Sequence, residues 1–145
     1  MEIFLQLILA ALLGGLVGLE REHKKKEAGL RTYALVSLGA ALFTIIGFNL
    51  PLITNQAVAL DPTRIIQAVA VGIGFLGAGL IIYRQFQIEG LTTAAGLWVV
   101  AGIGIAVGAK LYTIAIFVAF LAVLILFGLI WIEKKLFGVG KKSKK

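Results

Sequence analysis

Long apolar runs recur along this sequence, and they restrict the chain to very few kinds of fold. Crossing a bilayer takes about 20 apolar residues in a helix, because the hydrocarbon core is about 30 Å thick. Hydrophobic residues make up 60% of the chain and the mean hydropathy is +1.02, which is outside the range of soluble domains. The sequence therefore predicts an all-α integral membrane protein with five transmembrane helices. The predicted spans are residues 3–19, 32–50, 64–83, 92–109 and 111–132.

The predicted domain organisation is one five-helix transmembrane domain at residues 1–133, followed by a basic cytoplasmic tail at residues 134–145. The first span lacks the basic start and the small-residue cleavage site of a signal peptide, so we expect it to remain in the membrane. The sequence has no cysteine, which excludes disulfides and thiolate metal ligands.

The basic residues are distributed unevenly along the chain, and this distribution predicts its orientation. If the N-terminus lies outside the cell, all but two of the 14 Lys and Arg residues fall on the inner side. Only Arg64 and Lys110 are then external. The positive-inside rule therefore predicts a cytoplasmic C-terminus, with a lysine tail drawn to anionic lipid rather than to nucleic acid.

The stretch "GIGFLGAG" in the third span contains the G-x-G-x-x-G spacing of dinucleotide-binding loops. It lies inside an apolar span with no preceding strand, and Thr92 stands where the ribose-binding acid would be needed. We therefore interpret these glycines as helix-packing positions at the centre of the bundle, with a break in the third helix as the alternative. The four glycines are Gly72, Gly74, Gly77 and Gly79.

Two other spans carry glycines four residues apart, and we expect similar packing surfaces there. These are Gly14 and Gly18 in the first span and Gly104 and Gly108 in the fourth. Trp98, in the middle of the fourth span, is expected to face the bundle interior because its indole N–H needs a hydrogen-bond partner.

Four stretches carry a family resemblance in their order and separation: "GLVGLERE", "AGLRTYALVSLGAALF", "DPTRIIQAVAVGIGFLGAGLI" and "GLTTAAGLW". Together they resemble the membrane domain of the MgtC/SapB family of bacterial inner-membrane proteins. The resemblance implies a multi-pass protein of the bacterial inner membrane, associated with magnesium limitation, virulence or acid stress and without an established enzymatic activity. Many members carry a soluble C-terminal domain after the fifth helix, which we expect this chain to lack.

A weak internal repeat suggests where a functional site could lie. The segment "AGLRTYAL" at 28–35 is echoed by "EGLTTAAG" at 89–96, which suggests that the first two spans are repeated in parallel by the third and fourth. Charged residues beside apolar spans usually face protein or a water-filled cavity. We predict a cytoplasmic polar pocket that binds an anion or a partner's carboxylate, closed by the N-termini of the second and fourth helices. Its predicted members are Glu20, Arg21, Arg31, Thr32, Thr92 and Thr93.

On the outer side, the sequence "DPTR" predicts the start of the third helix, with Asp61 as its N-cap. We expect Asp61 and Arg64 to form a structural lock, in preference to a Mg²⁺ site, because one carboxylate is a poor dedicated site for that ion.

The sequence contains none of the common catalytic motifs, so we expect neither an enzyme nor a bound cofactor or metal. Two classes of function remain. The first is a regulator or interaction protein that modulates another membrane protein, and the second is a small transporter or channel that uses the glycine-rich third helix. Glycine-surfaced helices also favour a homodimer in the bilayer.

Overall fold

The computed structural model describes residues 2–54, 61–84 and 87–137. Within them, five helices are long and apolar enough to cross a membrane, which confirms the predicted fold class. Helix α5 takes in the first part of the predicted tail, and residues 138–145 lie outside the described residues. The helices are α1 (Glu2–His23), α2 (Leu30–Thr54), α3 (Pro62–Leu80), α4 (Leu91–Gly108) and α5 (Tyr112–Phe137).

Helix α3 ends earlier than the sequence indicates, because the chain forms a short β-hairpin before α4. Strand β1 (Ile82–Arg84) pairs antiparallel with β2 (Gln87–Glu89). The next residue, Gly90, has a φ of 87°, and a side chain there would collide with the Leu80 carbonyl. Glycine is therefore needed at the point where the hairpin turns into α4.

The helix starts agree with the repeat inferred from the sequence. Helix α2 begins at Leu30 directly after Gly29, and α4 begins at Leu91 directly after Gly90. These residues are equivalent in the repeat. The two hairpins differ in packing, since α1 lies closely against α2 whereas α3 is more loosely held against α4.

The centre of the bundle is α4, packed against α1 and α2, and not α3 as the glycine pattern predicts. Half of the α4 span is buried, compared with 17% of the α3 span. Glycines in α1 and α4 allow the backbones of these two helices to pack closely against α2, one on each side. A methyl group added at Gly14 would lie 2.7 Å from the Tyr33 carbonyl oxygen, and one added at Gly108 would lie 2.7 Å from the Thr44 Cβ.

The glycines of α3 have a different environment. Among the described residues, an added methyl group at Gly72, Gly74 or Gly79 would contact nothing within 4 Å, and one at Gly77 would make ordinary contact with Ala94. Packing among the described residues therefore does not explain why positions 72, 74 and 79 are glycine. Helix α3 is also continuous from Pro62 to Leu80, so the alternative of a broken third helix is wrong.

Trp98 is 59% exposed on the outer surface of α4, which corrects the expectation that it faces the interior. On the inner face of α4, Gly104 and Gly108 allow the backbone of α2 to approach, and Gly96 leaves room for the Tyr33 ring. The bulky indole is accommodated on the opposite side.

Candidate functional site

Charged side chains are buried where α1 reaches the side of the bundle that the charge pattern assigns to the cytoplasm. Arg21 is only 1% exposed and its Nε donates to Glu20 Oε2 at 2.5 Å. Lys24 Nζ also forms an ion pair with Glu20, one turn along the helix, and donates to the Leu126 carbonyl of α5 at 3.2 Å. The Lys24 ammonium group lies 5.3 Å from the centre of the Phe127 ring, a cation–π contact. These contacts join α1 to α5.

The last turn of α1 and the loop that follows it supply carboxylates to the starts of two helices. Glu22 Oε2 accepts a hydrogen bond from the Leu30 backbone N–H, at the start of α2, at 2.9 Å. Glycine at position 29 leaves room for this carboxylate to reach the helix. Glu27 Oε2 accepts from the Thr93 hydroxyl of α4, also at 2.9 Å. A carboxylate is favourable at a helix N-terminus, where backbone amides lack partners.

Tyr33 connects α2 to the same part of α4. Its side chain is completely buried, with its Cβ against Gly18 and its ring against Gly96, and its hydroxyl donates to the Thr93 carbonyl at 2.9 Å. Thr93 therefore bonds to Glu27 through its side chain and to Tyr33 through its backbone. We call this group the inner polar cluster: Glu20, Arg21, Lys24, Glu27, Tyr33 and Thr93.

The structure brings only half of the predicted pocket residues into this cluster. Glu20, Arg21 and Thr93 are buried in it, whereas Arg31, Thr32 and Thr92 have exposed side chains. Helix α2 begins at Leu30, two residues before Thr32, and α4 begins at Leu91, one residue before Thr92. Thr32 and Thr93 consequently lie within the first turn and are not N-caps.

The electrostatics of the cluster are largely balanced within the chain. Glu20 forms ion pairs with both Arg21 and Lys24, and Arg21 still has a buried Nη2 without a hydrogen-bond partner among the described residues. The pKa of Glu27 is held below its usual range by its own backbone N–H and by the Thr93 hydroxyl. Among the described residues no three His, Cys, Asp or Glu side chains come together in a metal-binding group. The arrangement is suited to binding and to coupling helices.

At the outer end, Asp61 is the N-cap of α3, accepting from Thr63 N at 2.9 Å and Thr63 Oγ1 at 2.7 Å. The expected lock with Arg64 is absent from the ion pairs of the described residues, because the carboxylate is turned toward Thr63. Glu2 pairs with Lys110 at 2.9 Å, and buried Gln6 donates to the Val107 carbonyl at 3.0 Å.

Sequence reasoning missed Lys24, Glu27 and Tyr33 as members of the cluster. A usable signal is the spacing of Tyr33 and Ser37 along α2, because residues four apart share one face of a helix. That face meets the glycines of α1 and α4.

Comparisons with known proteins agree with this architecture. The chain is 44% identical over 128 residues to the protein named "Putative magnesium transporter YhiD" of Escherichia coli K12, covering 86% of this chain and 59% of YhiD. It is 37% identical over 131 residues to Protein SrpB of Synechococcus elongatus, covering 85% of this chain and 72% of SrpB. Identity to Protein MgtC of Brucella abortus is 45% over 102 residues, covering 70% of this chain and 40% of that protein.

The chain thus spans about three fifths of YhiD and two fifths of the Brucella MgtC. No solved structure is detectably similar to it. The relatives and the five candidate spans identify a multi-pass protein of the bacterial inner membrane. The family model described as "MgtC family" matches residues 7–135, and this chain belongs to that family.

Proposed function

We propose that this chain is a non-enzymatic regulator or interaction protein, which modulates another membrane protein during adaptation to magnesium limitation or acid stress. Membership of the MgtC family and the magnesium-related name of the YhiD relative support a role connected with this ion. The observation that carries the proposal is the closed packing of α1, α2 and α4.

Close backbone contacts occur at several depths along this three-helix core. A methyl group added at Gly18, Gly14 or Gly108 would already lie 2.5–2.8 Å from the nearest atom of α2. Mg²⁺ sheds its water reluctantly and usually keeps several water ligands, so it needs far more room than a methyl group. The core therefore favours a protein that acts through its surfaces over one that conducts ions through its centre.

A transporter or channel is the second candidate, and one observation favours it. An apolar groove of about 850 Å³ separates α2 from α3 and is open to the surroundings of the chain. A route along this groove would require another helix to seal it from lipid, because exposed polar pathways do not persist against hydrocarbon.

Flux measurements distinguish the two candidates. The purified chain is reconstituted into proteoliposomes that enclose a Mg²⁺ indicator or a pH indicator, with protein-free liposomes as the control. We expect no Mg²⁺ or proton flux above the control. Protein-dependent Mg²⁺ uptake would instead establish the transporter.

Growth tests address the interaction surface. Arg31 is an exposed cation at the start of α2, outside the ion pairs of the described residues. In cells whose growth at limiting Mg²⁺ depends on this chain, Arg31→Ala should abolish growth while the amount of folded protein stays unchanged. Lys25→Ala, in the neighbouring loop, is the matched control and should support growth. Normal growth with Arg31→Ala would exclude Arg31 from the regulatory surface.

A further inference from the structure

An apolar groove of about 850 Å³ runs between α2 and α3, and no described element fills it. On α2 it extends from Thr32 to Gly47, about 22 Å at 1.5 Å per residue. Five of its 15 lining residues are glycine or alanine, and Gly72 in particular has open space where a side chain would be. The small residues lining it are Gly39, Ala40, Gly47, Ala68 and Gly72.

The length and the lining indicate what kind of molecule occupies the groove. A single leaflet is about 15 Å deep, half of the hydrocarbon core, so one acyl chain is too short to follow the groove from end to end. Small residues allow two helix backbones to approach closely, which is how helices associate in a bilayer. A transmembrane helix therefore fits the groove better than a lipid does.

Charges at the outer end of α3 indicate which transmembrane helix occupies the groove. Both hydrogen bonds to Asp61 use Oδ1, which leaves Oδ2 available. Arg64, which lines the groove, forms no ion pair among the described residues, and the loop at residues 55–60 contains no carboxylate. Asp61 and Arg64 are three residues apart and so share one face of α3. That face carries one charge of each sign and is complementary to a copy of itself.

We infer that a second copy of this chain occupies the groove, with the two α3 helices packed side by side about a two-fold axis along the membrane normal. Each α3 fills the groove of the other copy, and Asp61 of each copy pairs with Arg64 of the other. A two-fold contact of this kind is self-complementary and closes at two subunits. The inference is independent of whether the protein regulates or transports.

Disulfide cross-linking tests the arrangement directly, because the chain has no native cysteine. Gly72→Cys places a thiol in the groove, and Gly74→Cys is the matched control, since two residues rotate a side chain by about 200° around the helix. Both positions have open space for a side chain among the described residues. Oxidation in native membranes should link Gly72→Cys into a covalent dimer, with at most a trace of dimer for Gly74→Cys.

Three outcomes would overturn the inference. Equal linking at the two positions would show that the groove is not the interface. An adduct of Gly72→Cys with a different protein would show that a partner's helix fills the groove. A single-chain mass in nanodiscs, without any adduct, would leave lipid as the occupant.

The charge pairs are tested with substitutions that preserve the helix cap. Asp61→Asn keeps a side-chain acceptor at the N-cap while removing the charge, and Arg64→Gln removes the other charge. Each should weaken dimerisation in nanodiscs on the order of fivefold, and the double variant should be no weaker than either single one. Additive losses would mean that the two charges do not pair.

Discussion

Among the described residues, one side-chain hydrogen bond holds Glu27 to the bundle, and this makes its contribution to stability dependent on pH. Its pKa is lowered in the folded state, so its charged form stabilises the fold above the pKa of about 4.5 that it has when unfolded. This stabilisation is lost as the pH falls through the lower, folded-state pKa. The attachment of the α1–α2 loop to α4 should therefore weaken only in strongly acidic conditions.

Replacing the donor tests this prediction. Thr93→Val removes the hydroxyl but keeps the shape of the buried side chain, so the pKa of Glu27 should rise toward its ordinary value. Thermal unfolding of the variant in detergent should then lose less stability between pH 6 and pH 3, roughly the range in which a carboxylate titrates. Thr92→Val, at an exposed neighbour, is the control and should keep the wild-type pH profile. An unchanged profile for Thr93→Val would show that the hydrogen bond does not control the charge of Glu27.

Some residues of the inner polar cluster could be predicted from the sequence and others could not. Glu20 and Arg21 directly follow an apolar span, so the cost of exposing charge to hydrocarbon already indicates that they are buried in protein. Tyr33 also lies near a span end, where an aromatic ring is typical of the membrane interface. Its burial is decided by Gly18 and Gly96, whose proximity only the folded chain reveals.

At the level of the helices, the glycines of α1 and α4 pack against α2 as predicted, whereas three of the four predicted packing glycines of α3 contact nothing among the described residues. Gly14→Ala would bring a methyl group within 2.7 Å of the Tyr33 carbonyl oxygen, a backbone atom that cannot move aside cheaply. Such overpacking typically costs about 1–3 kcal/mol. We expect Gly14→Ala to lower the unfolding temperature in detergent, while Gly74→Ala should leave it unchanged or raise it slightly, because alanine favours helix.

Both variants replace a glycine with alanine, and they differ only in the helix that carries the substitution. Equal destabilisation would mean that helix propensity or insertion, rather than contact with α2, controls the effect. Destabilisation by Gly74→Ala alone would restore α3 as the packing centre.

Helix number and the approximate helix boundaries are predictable because a span must be about as long as the hydrocarbon is thick. Span length does not predict which helix packs against which face, since the glycine spacing in α1, α3 and α4 is similar. The hairpin of Ile82–Arg84 and Gln87–Glu89 was also missed. Its exposed apolar residues extend the hydropathy signal of α3, so the sequence places the end of the span at Tyr83 instead of Leu80.

For the whole molecule, the distribution of charge predicts an orientation that can be tested. The inner polar cluster and the α1–α2 loop lie at one end of the bundle, and Asp61 and the Glu2–Lys110 pair lie at the other. Lys110 is a basic residue at the outer end, but its charge is paired with that of Glu2. It therefore reduces the charge difference between the inner and outer sides only slightly. We therefore expect the N-terminus of α1 to lie outside the cytoplasm.

The absence of native cysteine allows this orientation to be read from single thiols. Lys26→Cys lies in the α1–α2 loop and Thr113→Cys at the start of α5, and both side chains are exposed. A membrane-impermeant maleimide applied to spheroplasts should label Thr113→Cys and leave Lys26→Cys unlabelled until the membrane is permeabilised. The reverse pattern would invert the molecule and place the inner polar cluster outside the cell. Labelling of both before permeabilisation would indicate two orientations in one membrane, and the parallel α3 pairing inferred above would then hold only between copies that share the same orientation.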